Sequence, residues 1–296
     1  MDKREIDLSI IVPCYNEEQS LPSFLPSLLH FCRERNWKII LINDGSTDNS
    51  KQILRLYDND PRLTLIHHKV NRGYGGAIKS GIKQAQTEYI ITIDGDGQHY
   101  FEDIEKLVAA VLASDADMVI GSRKSQKEAS WFRGIGKYLI RTVAKIVMPV
   151  TVYDINSGMK LCRTTLAQKF IHLCPDGMSF SDILTLVFIN NKNLVIEESI
   201  KIKKRSTGKS TINISTAFQT VYEIINIIVL FNPIKIFLSL SLFFLLSGVV
   251  WGIPIVLKGR GVSTGSLLAL IAGILFFILG LLAEQLSNIR KTQKSD

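Results

Sequence analysis

The apolar residues of this chain follow two different patterns. Up to about residue 200, short apolar runs alternate with longer stretches in which apolar residues recur every three or four positions. Beyond residue 235, two long segments without an ionisable side chain follow each other closely. The first pattern predicts strands that alternate with amphipathic helices, and the second predicts helices in an apolar environment.

The alternating region predicts an α/β fold. Runs rich in β-branched residues are expected to form strands at 8–12, 38–43, 63–67, 89–93 and 118–120. Helical periodicity lies between and after these runs, at 18–33, 50–57, 75–84 and 101–113. Several of the strands are apolar almost throughout, which is typical of a largely parallel sheet with helices on both faces. Ligands of such sheets bind beyond the carboxyl ends of the strands.

Residues 122–200 have a less regular pattern. We expect helices at 165–171 and 180–190, followed by a strand-like run at 194–202. We interpret this region as the acceptor half of the same domain.

The two segments without ionisable side chains, 236–257 and 261–283, are each long enough to cross a membrane. At a helical rise of about 1.5 Å per residue, the 22 residues of the first reach about 33 Å, against a hydrocarbon core of about 30 Å. A buried hairpin in a soluble core is the alternative, but such helices are usually shorter and carry a polar edge. The pattern therefore predicts a two-helix membrane anchor.

The flanking residues suggest an orientation in the membrane. The apolar stretch that follows the charged residues 1–5 is too short for a secretory signal or a first anchor, so neither is expected. Arg290, Lys291 and Lys294 follow the second span and favour a cytoplasmic C-terminus at the inner membrane, although Lys258 and Arg260 lie in the outer turn. The predicted parts are a cytoplasmic catalytic domain at 1–210, a juxtamembrane helix at 211–232, two spans within 233–286 and a cytoplasmic tail at 287–296.

The juxtamembrane stretch has two interpretations. Apolar residues recur at helical spacing between 215 and 231 and end at Asn232-Pro233. This pattern suits an interfacial helix that lies on the membrane and leads into the first span. A helix that packs on the protein core would show the same spacing.

The formal charge of +8 and the pI of about 9.2 raise the question of an anionic partner. Basic residues are not interleaved with stacking aromatic residues in a nucleic-acid-binding motif, so nucleic acid is not expected. The predicted spans already supply an anionic partner, the lipid of the cytoplasmic leaflet. The four cysteines lack metal-binding or paired spacing, which favours reduced thiols.

Polar residues gather where three of the predicted strands end, at 13–17, 44–48 and 94–98. In the last segment, Asp94, Asp96 and Gln98 offer oxygen atoms that can converge on one point. Mg²⁺ or Mn²⁺ takes such ligands and fills its remaining sites with water and the oxygens of a nucleotide diphosphate. An isolated Asp-Gly-Asp is more often a solvated turn, but its place at a strand end favours a metal site here.

The other two segments suggest contacts with a nucleotide. Asp44 follows the second strand beside the loop that carries Tyr15 and Glu17, where stacking and hydrogen bonds would hold a base and a ribose. The glycine-rich segment 71–76 would let the backbone come close to a ligand before the next helix. A tight turn that feeds a capped helix explains residues 44–50 equally well.

Taken in order, these segments resemble the family 2 glycosyltransferases, and within them the dolichyl-phosphate mannosyltransferase and polyprenyl-phosphate glycosyltransferase group. The matching motifs lie at 11–18, 43–48, 71–75, 94–99, 121–123, 154–158 and 205–210, and the resemblance covers about residues 8–232. It implies a GT-A domain that transfers a hexose, with inversion, from a nucleotide-diphosphate sugar to undecaprenyl or dolichyl phosphate. A UDP-sugar is favoured as the donor, and GDP-mannose is the alternative.

The same resemblance implies roles for individual residues. The nucleotide sugar would be bound by Pro13, Tyr15, Glu17, Asp44, Asp48, Gly75, Asp94, Gly95, Asp96 and Arg123. The metal-diphosphate would be held by Asp94, Asp96 and Gln98, and the acceptor phosphate by Arg205, Lys209 and Ser210. Members of the group often carry a lysine after that serine, where this chain has Thr211. Which cation meets the acceptor phosphate therefore stays open.

Asp154 also has two interpretations. It would act as a base or an electrostatic orienter near the acceptor, or it would cap a turn at 156–158 and shape the pocket. A lipid phosphate monoester is mostly ionised near neutral pH, since its second pKa is about 6, and it needs little help from a base. We predict that Asp154 takes part in catalysis, together with Asp94, Asp96 and Arg205.

Two other functions fit part of the pattern. A subunit of a processive polysaccharide synthase would share the nucleotide-sugar half, but two spans enclose no channel unless they oligomerise, and no Gln-x-x-Arg-Trp segment is present. An inactive membrane adaptor would have no need of both metal carboxylates. Small residues that permit a homo-oligomer lie in the spans, at Gly248, Gly252, Gly273 and Gly280.

Overall fold

The architecture is that of a computed structural model, which describes residues 6–123, 142, 145, 150–203, 225–227, 229–259 and 261–292. The described residues belong to two compact units. Residues 6–123 and 150–203 form the first unit, and the remaining described residues belong to the second.

The first unit is built on a mixed seven-stranded sheet in the order β3-β2-β1-β4-β6-β5-β7. Its strands are β1 Leu8–Cys14, β2 Lys38–Asn43, β3 Leu63–His67, β4 Tyr89–Thr92, β5 Met118–Ser122, β6 Lys160–Arg163 and β7 Val195–Ser199. Its helices are α1 Leu21–Arg33, α2 Ser50–Arg55, α3 Tyr74–Gln84, α4 Phe101–Ser114, α5 Thr164–Phe170 and α6 Phe180–Asn190, with a 3-10 turn at Ile171–Leu173. The α/β prediction is confirmed.

The five strands predicted before residue 121 are all present, with ends that differ by at most two residues. The central residues of β1, β2, β4 and β5 are buried, as expected of strands that are covered on both faces, whereas those of the edge strand β3 are partly exposed. The prediction missed β6, which pairs antiparallel with both β4 and β5 and makes the sheet mixed. This strand is four residues long and has a cation at each end, Lys160 and Arg163, so no apolar run marks it.

Strand order decides which loops meet. β1 pairs in parallel with β2 on one side and β4 on the other, so the loops that follow these three strands lie at one edge of the sheet. Because β6 runs antiparallel to β4, the segment that precedes Lys160 reaches the same edge. The fold therefore brings residues 154–159 next to the end of β4.

The second unit contains two long apolar helices, α7 Pro233–Leu257 and α8 Thr264–Thr292. Both are long and apolar enough to cross a membrane, as the sequence predicted. Helix α8 continues through residues 287–292, which the sequence assigned to a tail. Residues 225–227 and 229–231 are helical, and the rest of the predicted juxtamembrane helix before residue 232 lies outside the described residues.

The glycines of the two long helices lie where α7 and α8 contact each other. A Cβ on Gly248 would lie 2.9 Å from the Leu270 side chain, and one on Gly273 would lie 2.6 Å from that of Leu245. The Ser266 hydroxyl also donates a hydrogen bond to the Gly248 carbonyl, at 2.5 Å. These small residues therefore serve packing within one hairpin, and they give no support to the oligomer that their spacing permitted.

Candidate active site

The loops after β1 and β2 are tied together by hydrogen bonds to backbone amides. The amide of Glu17 donates to the Ser50 hydroxyl at 2.8 Å, and the amide of Glu18 donates to the Asp48 carboxylate at 3.1 Å. Burial opposes the lowering of the Asp48 pKa, but hydrogen bonds from Ser50 and Glu18 bring it below its usual value. Asp48 thus joins the two loops, while Tyr15 is 46% exposed and presents its ring to solvent.

Asp44 joins the end of β2 to the loop before α3. Its carboxylate is 3% exposed and accepts hydrogen bonds from the backbone amides of Arg72 and Gly73, both at 2.9 Å. His68 lies 2.6 Å from the same carboxylate through Nδ1 and 2.9 Å from the Ser80 hydroxyl through Nε2. Sequence reasoning placed Asp44 correctly at the strand end but gave no signal for His68. The carboxylate fixes the glycine-rich loop in place.

Asp94 lies at the end of β4 between three elements. Its carboxylate accepts a hydrogen bond from the Tyr74 hydroxyl at 3.2 Å, and His99 Nε2 lies 3.3 Å away. Burial favours the neutral acid, but His99, Tyr74 and the charge of Arg123 together lower the pKa of Asp94 below its usual value. The same carboxylate raises the pKa of the buried Tyr74 hydroxyl further, so that this hydroxyl stays a donor.

The opposite side of Asp94 is closed by Gly158. A Cβ built on this glycine would lie 2.8 and 3.0 Å from the two carboxylate oxygens of Asp94. The Thr92 hydroxyl donates a hydrogen bond to the Gly158 carbonyl at 2.6 Å, which holds the two segments together. Only glycine permits this close approach of the 154–158 segment to the carboxylate.

Asp96 forms a turn with the residue two positions later. The amide of Gln98 donates to one Asp96 oxygen at 3.0 Å, and the Gln98 side chain donates to the other at 2.6 Å. A Cβ on Gly95 would lie 2.9 Å from the Pro13 carbonyl, so the turn also packs against the end of β1. Gly95 therefore lies beside Pro13 and Gln98 contacts Asp96, while the convergence of Asp94, Asp96 and Gln98 on one metal ion stays a prediction.

Arg123 and Asp154 form an ion pair at the end of β5. Arg123 Nε and one terminal nitrogen each donate to a different oxygen of Asp154 at 2.7 Å, and that same nitrogen donates to Asn156 at 2.8 Å. Burial would lower the pKa of Arg123, but the hydrogen bonds and charge of Asp154, followed by Asp94 and Asp182, raise it. Both oxygens of Asp154 are engaged with one guanidinium, which favours an orienting role over that of a free base.

A basic segment of the sequence, residues 203–209, begins beside the Asp96 turn. The amide of Lys203 donates to the Gln98 carbonyl at 2.9 Å, and Ile202 pairs with His99 in an antiparallel bridge. Lys203 also lines, with Asp96, His99 and three serines of the α1 region, a cavity of about 380 Å³. The predicted acceptor residues Arg205, Lys209 and Ser210 follow directly in the sequence, but they lie outside the described residues.

The oxygen atoms of Asp94, Asp96 and Gln98 suit a divalent cation that binds together with a nucleotide diphosphate. Among the described residues, no group of three His, Cys, Asp or Glu side chains has an arrangement that would hold a metal ion. Asp94 and Asp96 supply carboxylate oxygens, and Gln98 carries an amide oxygen on the same turn. Mg²⁺ and Mn²⁺ commonly use one or two carboxylates and complete their coordination with phosphate and water. The residues therefore fit such an ion.

Comparison with protein families decides which class of enzyme this site belongs to. The model named Glycosyl transferase family 2 matches residues 9–170, more than half of the chain. The chain belongs to glycosyl transferase family 2. A second model, the GtrB C-terminal hairpin, matches residues 232–289, which include α7 and all but the last three residues of α8. The resemblance inferred from the motifs is confirmed, and the protein is a glycosyltransferase.

Similar proteins match almost the full length of the chain. The undecaprenyl-phosphate 4-deoxy-4-formamido-L-arabinose transferase of Pectobacterium carotovorum is 27% identical, over 96% of this chain and 89% of its own length. That of Proteus mirabilis is 26% identical over 95% and 89%, respectively. Glucosyl-3-phosphoglycerate synthase from Mycobacterium tuberculosis, solved with Mn²⁺, UDP and phosphoglyceric acid, has a TM-score of 0.60 and 14% identity over 75% of this chain and 78% of its own. The GT-A fold is thereby confirmed.

Proposed function

We propose that this family 2 enzyme transfers a sugar from a nucleotide-diphosphate donor to polyprenyl phosphate at the inner membrane. The observation that carries the proposal is the meeting of the 94–98 turn, the 154–158 segment and the start of the basic segment at one sheet edge. The match to the GtrB C-terminal hairpin and the acceptor named for the similar transferases support a lipid acceptor.

The donor side rests on the residues around β1, β2 and β4. Tyr15 is exposed beside the rigid loops that Asp44 and Asp48 hold, so its ring is available to stack on a base. Glu17 and Gly75 remain predicted contacts of the nucleotide sugar. Asp94, Asp96 and Gln98 would hold Mg²⁺ or Mn²⁺, which when bound acts as a Lewis acid on the diphosphate. Arg123 would add a second positive charge for the departing nucleotide.

The acceptor side requires little proton transfer. A lipid phosphate is mostly ionised at neutral pH, and its oxygen is itself the nucleophile that attacks the anomeric carbon with inversion. Asp154 then acts by orienting Arg123, because both of its oxygens accept hydrogen bonds from that guanidinium. Lys203 begins the basic segment beside Asp96, and Arg205, Lys209 and Ser210 remain the predicted contacts of the acceptor phosphate.

The helices α7 and α8 would anchor the enzyme, with the catalytic unit and both termini in the cytoplasm. The proposed donor sugar follows from the motifs and from the similar transferases. The motif resemblance favours a hexose from a UDP-sugar, with GDP-mannose as the alternative donor. The similar transferases are named for a substituted arabinose, a pentose, so this sugar belongs in the same test.

The decisive experiment incubates the purified full-length protein in detergent with undecaprenyl phosphate and a panel of labelled donors. The panel contains UDP-hexoses, GDP-mannose and UDP-4-deoxy-4-formamido-L-arabinose, each with Mg²⁺, Mn²⁺ or EDTA. We expect one donor to give a singly glycosylated lipid that is lost with EDTA. Long polymeric product would favour the processive synthase, and absence of product with every donor would favour the inactive adaptor.

A further inference from the structure

Lys160, at the start of β6, is a buried cation that belongs to none of the predicted donor, metal or acceptor sites. It is 2% exposed, and its ammonium nitrogen makes three hydrogen bonds. It donates to the carbonyls of Ile155 at 3.0 Å and Ser157 at 2.5 Å, and to the Ser181 hydroxyl at 2.8 Å. All three donors of an ammonium group are thus used within the protein.

These bonds hold a loop, residues 154–158, from beneath. Helix α6 assists, because the Ser181 hydroxyl donates to the Ser157 carbonyl at 2.8 Å and the Thr185 hydroxyl donates to the Ile155 carbonyl at 3.2 Å. The carbonyls of residues 155 and 157 therefore face the sheet and α6. This leaves the two ends of the loop, Asp154 and Gly158, to contact the active site.

The ends of the loop meet both charged parts of the site. At one end, Asp154 holds the Arg123 guanidinium through two hydrogen bonds of 2.7 Å. At the other, Gly158 lies against the Asp94 carboxylate, closely enough that a Cβ would lie 2.8 Å from an oxygen. A shift of the loop would move the cation and the carboxylate at once.

We propose that Lys160 is a positioning residue for sugar transfer, whose buried ammonium group fixes the 154–158 loop so that Arg123 and Asp94 stay correctly placed. The hydrogen bonds of Lys160 go to the loop carbonyls and to Ser181, so it acts on Arg123 and Asp94 through the loop. The acceptor-dependent part of this inference rests on the proposed function, whereas the effect on the loop does not.

The charge of Lys160 argues against a purely space-filling role. Burial lowers the pKa of this lysine to about 8. The neighbouring Asp182, Asp154 and Cys162 oppose this change by raising the pKa, and the charge of Arg123 lowers the pKa further. Placing a cation here is costly, whereas a methionine would fill similar space without that cost. A charge that is retained under these conditions suits a group that must hold carbonyl oxygens in fixed positions.

The test compares K160M, which removes the donors, with K160R, which keeps a cation, in the full-length protein. Leu28→Ala serves as the control. Leu28 is fully buried in α1, so its truncation should lower stability, and it belongs to a different element from the 154–158 loop. Three quantities are measured: hydrogen–deuterium exchange of residues 152–160, UDP affinity and the rate of transfer to undecaprenyl phosphate.

We expect K160M to increase exchange in the 152–160 segment, to leave UDP affinity within a few-fold and to lower kcat about 100-fold, a typical result of misplacing reacting groups. K160R should restore part of the protection and of kcat, and Leu28→Ala should change melting temperature but neither property. The proposal is overturned if K160M leaves exchange in this segment unchanged, or if Leu28→Ala reproduces its loss of kcat. If the wild-type enzyme glycosylates no lipid, the proposed function fails, while the exchange measurement still decides the role of Lys160.

Discussion

The turn at Asp94–Gln98 and the loop at 154–158 carry the two main groups of charged residues, and they differ in exposure. The Asp94 side chain is 39% exposed, although Tyr74 and His99 lie beside its two oxygens, whereas that of Asp154 is 6% exposed and paired with the Arg123 guanidinium. The first region suits ligands that arrive and leave, such as a diphosphate with its cation. The second, the buried ion pair of Arg123 and Asp154, suits a fixed frame of charges that orients the reacting groups. The difference indicates that donor binding and orientation of the reacting groups are divided between two loops.

Removal of a carboxylate from the exposed turn should have the largest effect. We expect Asp96→Asn and Asp94→Asn each to lower kcat/KM by about 1,000-fold, since they remove charge that would oppose the charge on the departing diphosphate. The measurement is sugar transfer at saturating acceptor, with UDP affinity measured in the presence and absence of Mn²⁺. Asp115→Asn is the matched control, because Asp115 is an exposed carboxylate before β5, at the end of that strand opposite to Arg123, in a left-handed conformation that asparagine tolerates. A loss below ten-fold at both positions would remove this turn from catalysis.

Disruption of the buried frame should come next. Asp154→Asn is expected to lower kcat by about 100-fold with donor affinity nearly unchanged, whereas Arg123→Met should lower kcat by a similar factor and also weaken donor binding, because it removes a predicted contact of the nucleotide sugar. Breaking a buried ion pair should also lower the free energy of unfolding by about 3–5 kcal/mol, seen as a lower melting temperature.

The double variant separates the two interpretations of Asp154. If Asp154 acts by orienting Arg123, then adding Asp154→Asn to Arg123→Met should cost little further activity. If Asp154 is a base in its own right, the two losses should multiply. Single-turnover rates for the four proteins in this cycle distinguish these results.

The same contrast explains how much the sequence could predict. The turn at 94–98 follows an apolar strand and lies within five residues, so periodicity and local motif were sufficient to find it. Arg123 and Asp154 are 31 positions apart, and their pairing depends on β6, a short strand with charged ends that no local pattern marks. Lys160 was missed for a related reason: a lysine is seldom buried, and its three acceptors are supplied by residues 155, 157 and 181.

The membrane helices give a further example of this limit. Their length and composition predicted two spans, and the structure has two helices that could cross a membrane. Their glycines, however, could pack either against the other helix of the hairpin or against another molecule. Contacts such as those of Gly248 with Leu270 and Gly273 with Leu245 show the first. Spacing identifies a close-packed surface but not its partner.

A smaller effect is expected where the two regions touch. Gly158→Ala would place a methyl group about 3 Å from the Asp94 carboxylate, so one of the two segments must shift by a few tenths of an ångström. We expect roughly a ten-fold loss of kcat, less than after removal of a charge, since every charged group remains. Gly177→Ala is the matched control, because its Cβ would meet nothing within 4 Å. Equal activity of the two variants would show that this contact does not matter for transfer.

The smallest effect tests whether the positive charge of Lys160 is needed for activity, separately from its contribution to folding stability. Because burial lowers the pKa of Lys160 to about 8, raising the pH from 7 to 8 should reduce kcat by about half if the ammonium form positions the loop. The unfolded chain, in which this lysine has its usual higher pKa, binds more protons above pH 8, so the contribution of Lys160 to folding stability rises over the same window. Activity should therefore fall without a loss of melting temperature that can be assigned to this group.

In K160R the decline of kcat should move to higher pH, since a guanidinium stays charged throughout. A kcat that stays constant from pH 7 to 9.5 in the wild type would contradict a requirement for the charge, and would leave the fixed loop dependent on neutral hydrogen bonds alone.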